Sequence, residues 1–209
     1  MKLYEYQAKH IFSLYNIPFP EYQVIHNLDE FETVWKKIKL PVVLKAQSLE
    51  EHRGRLGGIK IAYDYDSAKK RINYFLNYPP WQQAQTVLIE KVISIQKEYF
   101  ISFVREKQNL VCYASIDLPI EELSLYAPQY IIKKSFDNNH FFDNMELRKF
   151  CLELSIPYNQ SIQKIFNTTL KVFENYNCSL IYFHPIVQTQ TEELLILDIK
   201  MNFEPQFEP

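Results

Sequence analysis

Lysine, arginine and glycine come together once in this chain, at a spacing suited to holding phosphate. The apolar run Val42-Val43-Leu44-Lys45-Ala46 closes on a cation, and the polar stretch Gln47–Gly58 carries His52, Arg53 and Arg55 around Gly54, Gly57 and Gly58. Ammonium and guanidinium groups neutralise phosphate oxygens, and glycine lets backbone N–H groups approach an anion closely. These three glycines are the only ones in 209 residues, where average usage of ~7 % would supply roughly fifteen. The stretch is therefore where the main chain needs positive φ or a close approach. It is neither a Walker A loop nor a dinucleotide fingerprint, since no GxxxxGK[ST] is present and no helix pattern opens after it. The residues by themselves leave two readings open: a phosphate-holding loop, or a β-hairpin with a long polar tip.

The composition sets limits on partners. A formal charge of −2 gives no general reason to expect nucleic acid, so the cations of the loop read as a local site. Cys112, Cys151 and Cys178 are odd in number and far apart, which indicates no disulfide framework; two of them sit in apolar patterns and fit buried small hydrophobes better than nucleophiles or ligands. Met1–Glu5 does not read as a secretory signal, and no apolar run has membrane length. The expectation is a soluble cytoplasmic protein without membrane or nucleic-acid partners, long enough for a real core in one domain or two lobes.

The elements that must position the loop follow from periodicity. Tyr4, Ala8, Ile11, Phe12 and Tyr15 recur at helical spacing, and Pro18 and Pro20 end that helix. A strand over Glu21–Ile25 precedes a helix capped by Asn27, with Glu30 at the capping-box position. Strands Val42–Ala46 and Ile59–Tyr63 flank the loop, Asp66 caps a third helix, and Thr86–Val92 is the next strand. The pattern then turns to consecutive strands, Glu98–Val104 and Leu110–Ser115, joined by a charged turn at Arg105–Asn109. Gln129–Lys133 reads as a further strand. Asp143 with Glu146 caps a helix, a longer helix runs through Ile162–Phe173, and strands at Cys178–Phe183 and Leu194–Ile199 finish the chain.

These elements make a fold of class α+β, and the details resemble a known family. Leu3-Tyr4-Glu5-Tyr6-Gln7-Ala8-Lys9 with Ile17-Pro18-Phe19-Pro20 is similar to the amino-terminal signature of the succinyl-CoA synthetase (ADP-forming succinate–CoA ligase) β subunit. Val43–Gln47 with Arg53–Lys60 resembles that family's nucleotide loop, Leu88-Ile89-Glu90 with Lys97-Glu98 its hinge strand, and Leu180–Pro185 with Leu197–Lys200 its metal-binding strands. The resemblance implies an ATP-grasp fold over residues 1–201, two α+β lobes with a nucleotide cleft between them. One lobe would span about 21–92 and the other 1–20 with about 93–201, leaving a loose tail at 202–209.

It also implies residue roles. Lys45 would reach the phosphates, with His52, Arg53, Gly54 and Arg55 as a lid over them. Glu90 and Ile93 would edge the adenine of ATP or ADP, and Glu98 would bond the nucleotide or order the loop. Asp198 with His184 would hold Mg²⁺ or, given the imidazole nitrogen, Mn²⁺. The sequence also departs from the family. Tyr182-Phe183-His184-Pro185 stands where the family has Glu-x-Asn-Pro, Asp198-Ile199-Lys200 replaces Asp-Gly-Lys, and Ile116-Asp117-Leu118 replaces a glycine pair. The family's second domain, which completes the CoA-ligase site, has no counterpart before Pro209, so a separate CoA-ligase-type subunit is the expected partner. Two functions follow: a phosphoryl-transfer component of a ligase that needs that partner, or a degenerate pseudoenzyme acting as a nucleotide-binding or regulatory module.

Overall fold

The computed structural model describes residues 1–49, 53–81, 85–107, 109–136 and 142–204. It divides into a smaller unit, Phe19–Ile93, and a larger one, Met1–Pro18 with Ser94–Pro209. Each has its own sheet, and both sheets are antiparallel.

The smaller unit holds a four-stranded sheet in the order β1-β4-β2-β3. Its strands are β1 (Tyr22–Ile25), β2 (Val42–Ala46), β3 (Ile59–Ala62) and β4 (Val87–Lys91), with helices α2 (Leu28–Trp35) and α3 (Tyr65–Asn77). Side chains alternate across a strand. Ile25, Val42, Leu44, Ala46, Val87 and Ile89 join Phe31, Ala68, Ile72 and Phe75 of the two helices in one buried apolar cluster. The opposite face therefore receives Val43 and Lys45 of β2 beside Leu88 and Glu90 of β4.

In the larger unit the sheet runs β10-β8-β5-β6-β7, with β9 paired to β8. The strands are β5 (Ile95–Glu106), β6 (Asn109–Ile116), β7 (Ile132–Phe136), β8 (Cys178–Thr189), β9 (Leu194–Ile196) and β10 (Ile199–Phe203). Helices α1 (Glu5–Ser13), α4 (Ile120–Tyr126), α5 (Asn144–Glu153) and α6 (Gln160–Asn175) complete it. Its core is aromatic. Phe183 of β8 meets Phe12 of α1 edge-on, Phe103 of β5 meets Phe166 of α6, and Phe150 of α5 meets Phe166 again. Edge-to-face contacts of this kind suit rings that must fill a core without stacking face to face.

Several elements differ from the sequence expectation. The third helix is capped by Asp64, whose carboxylate accepts the Ser67 N–H, while Asp66 lies inside the first turn. Both are aspartates in front of an apolar stripe, and only the backbone decides between them. At α2, Asn27 accepts the Glu30 N–H, but the Glu30 carboxylate reaches past the cap residue to the His26 N–H. The turn expected at Arg105–Asn109 is mostly strand, because β5 and β6 stay paired out to Glu106 and Asn109. The strand expected at Gln129–Lys133 begins later, at Ile132, behind a 3₁₀ turn at Pro128–Tyr130. Helix α4 was not expected at all; Pro119 and the acidic pair Glu121-Glu122 are its local signals. The last strand divides into β9 and β10 around Leu197-Asp198, and Asn202 and Phe203, expected in a loose tail, pair within β10.

Candidate functional site

The expected site residues fall into two groups, one in each unit. In the smaller unit, Lys45 and Glu90 face the same side of the sheet, and the ammonium stands 2.6 Å from a Glu90 carboxylate oxygen. Both are buried, with Lys45 at 5 % and Glu90 at 2 % exposure. At the residue after Lys45, the Ala46 N–H donates to the Gly58 carbonyl, so the glycine stretch closes back onto the end of β2. Arg53 is buried too, and its guanidinium donates to the Ala46 carbonyl at 3.2 Å. It thus ties the loop to the strand that carries Lys45.

The glycines act differently from one another. Gly57 has φ +84°, a conformation that L side chains rarely adopt. A Cβ on Gly58 would lie 2.7 Å from the Trp81 ring and 2.8 Å from the Arg53 stem, so this glycine permits close packing. The N–H groups of Gly57 and Gly58 donate to the carbonyls of Gly54 and Arg53, inside the turn itself. Those two amides, expected to face an anion, thus already have acceptors within the turn. Gly54 and Arg55 are exposed, and Ile93 is half-buried at the end of the unit. His52 lies outside the described residues.

In the larger unit, His184 and Asp198 are neighbours, with the His184 N–H donating to the Asp198 carbonyl at 2.9 Å. The imidazole sits edge-on between the rings of Phe100 and Tyr182, at 5.2 Å and 5.0 Å. Burial and then the Lys200 ammonium push its pKa below the ordinary range, against the pull of Asp198 and Glu121. Asp198 accepts the N–H of Ile199 at 2.8 Å.

Glu121 of α4, which sequence reasoning missed, is the hub of this group. Tyr182 donates to one of its oxygens at 2.7 Å, Lys200 to the other at 3.3 Å, and His184 Nε2 lies 3.6 Å away. Burial works to raise the Glu121 carboxyl, yet the Tyr182 hydrogen bond and the nearby cations hold it low. Glu98 stands apart, raised by burial and by the charge of Asp117. All three cysteines are buried and none is in a disulfide, and burial raises their thiols, to about 11 at Cys151. Nucleophilic chemistry is not what they are placed for.

Magnesium prefers six oxygen ligands in nearly octahedral geometry. The strands expected to hold it bring one carboxylate, Asp198, one imidazole, and a hydroxyl that donates to Glu121. Among the described residues, no group of three His, Cys, Asp or Glu side chains is placed to hold a metal ion. This donor set does not fit Mg²⁺.

Comparison with known proteins agrees with the architecture. The β subunit of ADP-forming succinate–CoA ligase from Aquifex aeolicus is 32 % identical over 219 aligned residues, covering 98 % of this chain and 56 % of that protein. Its counterpart from Ignicoccus hospitalis is 33 % identical, covering 96 % and 55 %. The chain thus spans a little over half the length of these relatives. Among solved structures, PH1788 from Pyrococcus horikoshii superposes with a TM-score of 0.79 at 16 % identity, covering 98 % of this chain and 92 % of that one. An acetyl-coenzyme A synthetase 1 from Ca. Korarchaeum cryptofilum, in complex with coenzyme A and Ca-AMPCP, gives 0.74 at 15 % identity, covering 97 % and 93 %. No helix among the described residues is long and apolar enough to cross a membrane. Residues 2–188 match the ATP-grasp domain family, and the chain belongs to it, resembling the amino-terminal part of succinate–CoA ligase β subunits.

Proposed function

We propose that this ATP-grasp domain binds a purine nucleotide, ATP or ADP. Lys45 meets the phosphates, Arg55 and the Arg53–Gly58 turn lie beside them, Glu90 and Ile93 edge the base, and Glu98 orders the nucleotide or its loop. The observation that carries this reading is the buried Lys45–Glu90 pair beside a glycine turn tied to the same strand. A buried ion pair is seldom a better stabiliser than apolar residues of equal volume. An ammonium at that strand end, in a member of this family, is therefore read as a ligand group.

With a CoA-ligase-type partner, the domain would be the phosphoryl-transfer component of an acid–CoA ligase. The complex of the Korarchaeum protein with coenzyme A and AMPCP supports that assignment. A second reading, a nucleotide-binding regulatory module, is favoured by Tyr182 and His184, which stand in place of the glutamate and asparagine of the family's Glu-x-Asn-Pro, the asparagine supplying an amide ligand. Thermal unfolding with ATP, ADP and GTP tests the binding. A ligand at 100 times its Kd stabilises by about 2.7 kcal/mol, and no shift with any nucleotide would refute it. ADP release with succinate and CoA separates the two functions. Turnover only with a partner supports the ligase component; binding without turnover in either case supports the module.

A further inference from the structure

We infer that this domain takes its nucleotide without a divalent cation, the Lys200 ammonium beside Asp198 supplying the positive charge. The inference rests on the nucleotide-binding reading above and goes beyond it in naming what neutralises the polyphosphate.

Three observations carry it. First, the oxygen donors are missing or engaged. Asp198 accepts its neighbour's N–H, the Tyr182 hydroxyl donates to Glu121, and both Glu121 oxygens receive hydrogen bonds, from Tyr182 and Lys200. Second, the His184 ring is held in place by Phe100 and Tyr182 and offers nitrogen, which a hard cation disfavours. Third, a fixed cation already stands in the group. The Lys200 ammonium lies over the Tyr182 ring, 5.2 Å from its centroid, and 3.3 Å from Glu121. Its side chain is 40 % exposed. An ammonium has three N–H donors, so one bond to Glu121 leaves Lys200 able to meet a phosphate oxygen. A dication drawn to Asp198 would face that charge with little oxygen ligation from the protein to offset the repulsion.

The test is calorimetric titration of the full chain with ATP, once in EDTA and once in millimolar Mg²⁺. Equal affinity within about two- to threefold is expected, and in EDTA Lys200→Gln should weaken ATP by about tenfold, the effect of one charge-assisted hydrogen bond. A double variant, Tyr182→Glu with His184→Asn, restores oxygen donors and should make binding Mg²⁺-dependent. Wild-type affinity that rises tenfold or more with Mg²⁺ would overturn the inference and leave nucleotide binding intact. Unchanged ATP affinity in Lys200→Gln would remove Lys200 from the role. No ATP binding in either buffer would overturn the nucleotide reading itself.

Discussion

The two groups of expected site residues, one in each unit, are built differently. At the Lys45 end, a buried ammonium and carboxylate meet at 2.6 Å, and a buried arginine ties the glycine turn to the same strand. Around Asp198, a tyrosine and an imidazole stand where the family has Glu-x-Asn-Pro, and a lysine and a glutamate carry the charge. The first group sets a buried ammonium beside a glycine turn. The second forms a hydrogen-bonded cluster around Glu121. The difference separates the two proposals: phosphoryl transfer depends on bridging metal ions far more than binding does, so the first group bears on binding and the second on catalysis.

Removing one partner of the buried pair should break the contrast most severely. Glu90→Ala leaves Lys45 buried without its carboxylate and should cost about 3–5 kcal/mol of stability, the range for such pairs, measured by urea unfolding. A loss below that of a surface substitution would show that the pair is not a fixed part of the unit. Next in size, Lys45→Ala should weaken ATP by about 1.5–3 kcal/mol, as for a hydrogen bond to a charged group; calorimetry giving the wild-type Kd would take Lys45 out of the site. Gly58→Ala drives a methyl into Trp81 and the Arg53 stem. A penalty of about 1–3 kcal/mol is expected for overpacking, with a change in Trp81 fluorescence as the turn shifts.

At the other end the effects should be smaller. Tyr182→Phe removes the hydrogen bond to Glu121 and leaves the Ile120 N–H without its acceptor. A loss of about 1–3 kcal/mol is expected, and a neutral result would mean the Glu121 cluster adds no stability. The smallest effect is a pH slope. Burial and Lys200 favour neutral His184, so the unfolded chain binds its proton more readily. The resulting stability is present above the ordinary histidine pKa of about 6.5 and is lost as pH falls through the folded value. Melting temperature against pH should lose that slope in His184→Asn; an unchanged curve would assign the slope to other groups. Glu121, held low in the fold, adds stability of the same sign at more acid pH.

Much of this was legible in the residues. Local rules placed β2, the Asn27 and Asp143 caps and the buried faces of α3 and α6, because capping and apolar periodicity act within a few residues. The three glycines marked the turn, and the family resemblance singled out Lys45, Glu90 and Asp198. Local rules did not separate Asp64 from Asp66 as a cap, since both fit the pattern. They also missed α4, whose seven residues carry too little periodicity to stand out.

By itself, then, the sequence determined the α+β class, the family and the identity of the departures at Tyr182 and His184. Tertiary structure decided what those residues do. Residues 121, 182, 184 and 200 meet only because β8 pairs with β10 and α4 sets Glu121 against both strands. Arg53 likewise reads only as a cation in the sequence, and it is the fold that aims its guanidinium at the Ala46 carbonyl. Residue types name the charges a chain can offer, but partners far apart in sequence are chosen by strand register and burial, which no local pattern contains.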